Sequence, residues 1–148
     1  MKVLLQRVSG AAVRVDGHIV GQIGRGYCLL VGVTHSDTNK EAEWLANKVA
    51  GLRIFEDENN KLNLGINDVG GELLIISQFT LYADTQKGRR PSFIAAARPE
   101  QSEPLYDYFC ELMANMGFRV ATGQFGADMK VEIHNDGPIT IILEREKG

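Results

Sequence analysis

Residues 26–33, GYCLLVGV, form an unbroken apolar run. It is the length of a strand, and its lack of polar alternation implies burial on both faces. The chain around it is rich in further strand-like segments. Residues 3–8 read as one. AAVRVDGHIVGQI, residues 11–23, sets Asp16-Gly17 between two β-rich runs. That pair suits a two-residue hairpin turn, where both positions need positive φ. LRIF at 52–55 is a short strand, and EDENNK after it is a polar turn. FRVATG, MKVEIH and ITIILE close the chain as three more β segments, the last two separated by NDGP.

Only two segments carry a helical period. Thr38 and Glu41 match a capping box, followed by Ala42, Leu45, Ala46 and Val49 at helical spacing, with Gly51 as a stop. A second helix is expected from about Glu103 to Met116. Ser102 would cap it and Pro104 would sit in its first turn, where a missing N–H costs little. Leu105, Phe109, Leu112, Met113 and Met116 form its apolar face. Strands and helices do not alternate, so the expected class is α+β: one domain over residues 1–148 with a mainly antiparallel, barrel-like sheet and two helices.

ELLIISQFTLYADT, residues 72–85, raises a question of chemistry. As one strand from Glu72 to Tyr82 it would place Gln78 and Thr80 on one face and Ser77 on the other. A buried polar side chain without a partner costs about 1–3 kcal/mol. Either these groups pair inside the protein, or the strand leaves the core, or it lines a pocket.

Conventional catalytic patterns are absent from the sequence. A hydroxyl nucleophile needs a base within reach. The three histidines, His18, His35 and His134, stand in no nucleophile motif, and there is no GxSxG, HExxH, P-loop or GxGxxG. Cys28 and Cys110 are far apart in apolar contexts, with no CxxC spacing, so free thiols and no zinc site are expected. No metal and no cofactor are expected. The N-terminal apolar run is too short for a signal peptide and no run reaches membrane-span length, so a cytoplasmic protein with no membrane partner is expected. With a net charge of −3, any nucleic-acid partner must be met by a local patch. KGRRPS supplies one: Lys87, Arg89 and Arg90, with no acid between Asp84 and Glu100. It reads as a phosphate-holding loop or as an ordinary solvated loop. Gly137-Pro138 reads as a plain turn on base rates, since about 5–6% of X–Pro bonds in folded proteins are cis.

Taken together, SQFTL at 77–81, the NxGP[VI]T pattern at Asn135–Thr140, the start MKVLLQRV and GQFGADM at 123–129 resemble the D-aminoacyl-tRNA deacylase family, also called D-tyrosyl-tRNA deacylases. The resemblance spans the whole chain. It implies hydrolysis of the ester between a D-amino acid and the terminal ribose of tRNA, by a homodimer of barrel-like subunits with sites at their interface. It assigns Ser77, Gln78, Phe79 and Thr80 to the catalytic motif, with the Phe79 N–H as an oxyanion donor and the ribose 2′-hydroxyl assisting. It assigns Gly137, Pro138, Phe125, Ala127 and Met129 to substrate binding and chiral selection. It implies a cis Gly137–Pro138 bond reaching into the partner's site, held by Arg7. Lys87, Arg89 and Arg90 are guesses for tRNA contact. A rigid backbone wall where an L side chain would go rejects L substrates by sterics. Such a wall cannot exclude glycine, so glycyl-tRNA is expected to be a substrate too. Two other classes compete: a tRNA- or RNA-binding module without hydrolysis, and a hydrolase of free D-amino acid esters.

Overall fold

The computed structural model describes residues 1–146. The acidic EREKG at the C-terminus reads from its composition as a solvated end, and its last two residues lie outside the described ones. The hub is strand β1 (Lys2–Val15). Its first half pairs with β3 (Gly26–Gly32), its second half with β2 (His18–Ile23), and its other edge with β8 (Lys130–Glu144). β3 continues the sheet to β6 (Glu72–Ser77) and then to β7 (Val120–Thr122). The sheet curls until β7 approaches β2. Arg119 Nη1 donates to Gln22 O at 3.1 Å, and a Cβ on Gly21 would collide with the Thr122 carbonyl. The result is a nearly closed barrel. Four of the six pairings are antiparallel; β3–β6 and β6–β7 are parallel. β4 (Phe55–Glu56) and β5 (Leu62–Leu64) form a separate small hairpin around EDENNK.

The GYCLLVGV run is covered on both sides as its composition demands, except at half-buried Leu30. Tyr27, Leu29 and Val31 face the helices with Val3, Leu5, Leu73 and Ile75. Cys28 faces the barrel interior with Val8, Ala11, Val13, Leu74 and Ile76. Each such Val, Leu or Ile side chain, fully buried, contributes about 1.5–3 kcal/mol. The register of β1 shifts between Val8 and Gly10, so even-numbered Val8 and odd-numbered Ala11 and Val13 reach the same interior. At the β1–β2 hairpin Asp16 has φ 51° and Gly17 φ 80°, the double positive φ that the Asp-Gly pair signals.

Helix α1 (Asn39–Gly51) starts at Thr38, whose Oγ1 accepts from Lys40 N and donates to the Glu41 carboxylate at 3.0 Å. Helix α2 runs Pro99–Asn115 and corrects the expected start at Glu103. Pro99, not Pro104, takes the first-turn position, where proline removes only an N–H that has no intrahelical acceptor. Ser102 is therefore inside the helix and is not its cap, and Pro104 lies in the helix body. No helix among the described residues is long and apolar enough to cross a membrane.

Two further expectations change. The strand expected over Glu72–Tyr82 ends at Ser77, and Phe79–Tyr82 is a single 3₁₀ turn. The reason is the loss of a ladder partner. β3 stops at Gly32, Gln78 N still donates to Val31 O at 2.7 Å, and the chain then folds over the strand end. Glycine eases that fold-over: a Cβ at Gly32 would lie 3.1 Å from Gln78 O and from Leu81 Cβ, a tight approach. In addition, MKVEIH, NDGP and ITIILE form one strand, β8, rather than two. Gln6 faces Thr140 and Val8 faces Asn135, so residues 136–139 loop out of the ladder opposite Arg7.

Candidate active site

The turn at the end of β6 forms one side of a cleft of about 580 Å³. Ser77, Gln78 and Phe79 line it there; Phe125, Ala127 and Met129 line it from the loop between β7 and β8. Phe93, Ala96 and Ala97 form a facing wall, and Arg98 and Ser102 come from the start of α2. Phe79, 54% exposed, meets Phe93 edge to face with centroids 5.2 Å apart. Phe125 is seated against Tyr106 at 6.1 Å, and Tyr106 Oη donates to Ile75 O in the core.

Thr80 is not among the lining residues. Its Oγ1 instead accepts from the Gln78 side-chain amide. The two polar groups that looked like strand-face neighbours are partners within one turn. Phe79 and Thr80 begin that turn, so their N–H groups have no intrahelical acceptor. The first hydrogen bond of the turn is Leu81 N to Gln78 O, at 3.2 Å.

What the cleft lacks in the described residues matters as much. No Asp, Glu, His, Cys or Lys lines it, and Arg98 is its one ionised side chain. Ser77 therefore has no base beside it. His18 and His134 are exposed on β2 and β8. His35 makes its contact with Ile94 O, behind the wall. Cys28 and Cys110 are free, and burial pushes both thiols up to about 12, leaving them protonated and unreactive. No group of three or more metal-ligating side chains is assembled among the described residues.

Gly137–Pro138 is cis and stands in the β8 excursion, outside the cleft of its own chain. Arg7 is 3% exposed and holds this excursion from below: Nε donates to Asp136 O at 3.1 Å, and Nη1 to Ile54 O at 2.8 Å. Glu56 and Asp136 balance its charge at 3.4 and 3.8 Å. Asn135 ties the excursion across its neck. Its Oδ1 accepts from Ile139 N and its Nδ2 donates to Thr140 Oγ1, both at 2.9 Å. Those bonds give the Asn and the Thr of NxGPIT a local purpose. Arg7 pairs with Tyr27 at the start of β3, while Val31 lines the cleft near its end. Four residues of strand, about 13 Å, separate the two along the sheet.

A family model described as D-Tyr-tRNA(Tyr) deacylase matches residues 4–144. The D-aminoacyl-tRNA deacylase of Thermomicrobium roseum is 60% identical over 97% of this chain and 94% of that protein. That of Exiguobacterium sp. is 57% identical over 98% of this chain and 99% of that protein. The chain belongs to the D-Tyr-tRNA(Tyr) deacylase family. A solved structure titled c-Myc DNA Unwinding Element Binding Protein superposes with a TM-score of 0.93 at 42% identity, covering 99% of this chain and all of that one. A probable eukaryotic D-amino acid tRNA deacylase shares the fold, with a TM-score of 0.84 at 19% identity over 96% of this chain and 97% of that one.

Of the residues this deacylase family resemblance singled out, the fold brings Ser77, Gln78, Phe79, Phe125, Ala127 and Met129 into one cleft. It leaves Thr80, Arg7, Gly137 and Pro138 off that lining. Lys87, Arg89 and Arg90 are fully on the surface, on a loop tied at its base by paired Asp84 and Ser92 backbones at 2.7 and 2.8 Å. Sequence reasoning missed Phe93, Ala97, Arg98 and Ser102. The only local signal was that the apolar FIAAA follows a loop without any turn to carry it back to the core.

Proposed function

We propose that the chain hydrolyses the ester of D-aminoacyl-tRNA and does so with little side-chain chemistry of its own. The observation that carries this is a cleft of substrate size with unpaired backbone N–H groups at Phe79 and Thr80 and no general base among the described residues. An ester carbonyl seated against the Phe79 N–H would have its developing oxyanion stabilised there. The proton traffic that the cleft cannot supply falls to the ribose 2′-hydroxyl beside the scissile ester. Neither a metal nor a cofactor has a part in this scheme.

The chiral filter is supplied by the partner subunit in a homodimer. Within one chain the Gly137–Pro138 turn stands apart from the cleft, yet it is exposed and braced by Arg7, Asn135 and Thr140. An apolar face is available for pairing. Leu4 lies opposite both Leu30 and Ile142, and Ile142 is 67% exposed. Leu30 adjoins Ile76, which lines the cleft, so a partner seated on this face reaches the cleft edge. The partner's Gly137–Pro138 backbone then occupies the space an L side chain needs. The exposed cations Lys87, Arg89 and Arg90 stand on the loop that comes after the Phe79–Tyr82 turn and hold acceptor-stem phosphates. The substrate places the enzyme in the cytoplasm.

A wall that acts by exclusion makes no contact with the side chain it admits. Glycyl-tRNA is therefore expected to be hydrolysed under conditions that clear D-tyrosyl-tRNA, with a kcat/KM within about a hundredfold of it, since an apolar side chain adds only a few kcal/mol of contact. A discharge assay on both charged tRNAs tests this. Complete resistance of glycyl-tRNA contradicts selection by exclusion. Salt-sensitive tRNA binding without release of any amino acid would instead favour an RNA-binding module.

A further inference from the structure

Residues 93–97 form the cleft wall through Phe93, Ala96 and Ala97, yet they belong to no regular element. Apolar burial fixes only one end of them: Ala97 is 6% exposed and joins the core, but Ile94 is 84% exposed and Phe93 37%. The exposed part, residues 93–95, holds its place largely through hydrogen bonds. These bonds converge on one corner, residues 33–37, where the chain leaves β3. Thr34 Oγ1 donates to Ala95 O at 2.5 Å, and His35 Nε2 contacts Ile94 O at 2.6 Å. Ala97 N donates to Val33 O at 2.9 Å. The corner is itself pinned. Asp37 Oδ2 accepts from Thr34 N at 2.7 Å, and Gln101 Nε2 of α2 donates to His35 O at 2.8 Å.

We propose that Thr34 and His35 are positioning residues that set the width of the substrate cleft by holding the main chain of Ile94 and Ala95. A carbonyl oxygen only accepts, so the His35 ring carries a proton on Nε2 and donates it. Neither side chain lines the cleft, and neither takes a proton from substrate. Their effect passes through Phe93, whose ring packs edge-on against Phe79. A wall released from the corner moves away from the Ser77–Phe79 turn and loosens the grip on the aminoacyl-adenosine end. The consequence is weaker binding of substrate and transition state alike, which raises KM and leaves kcat nearly unchanged. This inference rests on the deacylase reading for its kinetic assay but not for its binding assay.

The test compares wild type, His35→Ala, His35→Gln and Thr34→Val. Two ligands are used: D-tyrosyl-tRNA for turnover, and D-tyrosyl-adenosine with a non-hydrolysable 3′-amide linkage for calorimetric binding. The loss of one such hydrogen bond is expected to raise KM and the analogue's Kd about tenfold, with kcat within about twofold. Glutamine offers an N–H at similar reach, so His35→Gln is expected to recover most of the affinity. Hydrogen exchange at the Ala97 amide rises in His35→Ala and Thr34→Val and stays near wild type in His35→Gln. Unchanged KM, Kd and Ala97 exchange in both His35→Ala and Thr34→Val overturns the proposal. So does a large fall in kcat at constant KM, which puts His35 in the chemistry. A wild type that binds the analogue without hydrolysing D-tyrosyl-tRNA, with Kd still moving as described, keeps the positioning role and removes the deacylase reading.

Discussion

Phe79→Pro lowers kcat on D-tyrosyl-tRNA by about 10²–10³-fold relative to Phe79→Ala, the loss typical of one oxyanion-hole donor. The two variants share the loss of the ring and differ in the backbone N–H. Proline is well accommodated here. Phe79 is the first residue of its turn, and Gln78 before it has φ −142° and ψ 78°, outside the helical region that a following proline disfavours. Substitution therefore removes a donor without breaking a hydrogen bond of the fold. Thr80→Val, in contrast, deletes the hydroxyl that accepts from Gln78 but leaves both turn N–H groups in place. It is expected to keep kcat within about tenfold, because one neutral hydrogen bond has a net worth of about 1 kcal/mol. Single-turnover rates at saturating enzyme measure both. Equal rates for Phe79→Pro and Phe79→Ala would exclude the oxyanion role. Complete loss in Thr80→Val, with the amide analogue still bound, would make Thr80 the reacting group.

Asp37→Ala is expected to destabilise the protein by about 3–5 kcal/mol, the cost of leaving one partner of a buried ion pair alone. The Met1 ammonium lies 2.8 Å from Asp37 Oδ1, and both side chains are 0% exposed. Without the carboxylate the ammonium keeps, among the described residues, the Arg145 carbonyl at 3.0 Å, and the Thr34 N–H loses its acceptor. Against a total stability of about 5–15 kcal/mol this is a large fraction. Asp37→Asn retains an acceptor for Thr34 and is expected to cost less. Urea unfolding followed by circular dichroism gives both values. A loss under about 1 kcal/mol for Asp37→Ala would mean that the ammonium finds solvent, against the burial described above.

Features set by a few adjacent residues were legible in the sequence. Asp16-Gly17 specifies its turn by backbone conformation, and Thr38 with Glu41 marks a helix start by local hydrogen bonding. Every residue of GYCLLVGV is buried except half-buried Leu30, as a run without polar alternation implies. The misreadings occurred where a distant partner decides. FTLY has strand-like composition, but the neighbouring β3 ends at Gly32 and leaves it no ladder. PEQSEP carries two prolines compatible with a first turn, and the helix starts at the earlier one, with Gln101 N and Ser102 N both donating to Arg98 O. The excursion in β8 depends on Arg7, well over a hundred residues away in sequence. The cleft divides the same way. Ser77 and Gln78 could be picked out, with Thr80, as a polar break in an apolar run, and Phe79 only through the family resemblance. Phe93 and Ala97 reach it through the Thr34–His35 corner, a contact between segments that carry no sign of each other.

Discharge of D-tyrosyl-tRNA and of L-tyrosyl-tRNA by the purified protein, side by side with a chelator present, tests the central claim most directly. The expected result is rapid loss of the D ester with the L ester intact, at a ratio of about 10⁴, equivalent to about 5.5 kcal/mol and within the reach of a steric clash with fixed backbone. Loss of both esters at similar rates would contradict the backbone filter at Gly137–Pro138, and loss of neither would contradict the hydrolytic reading of the cleft.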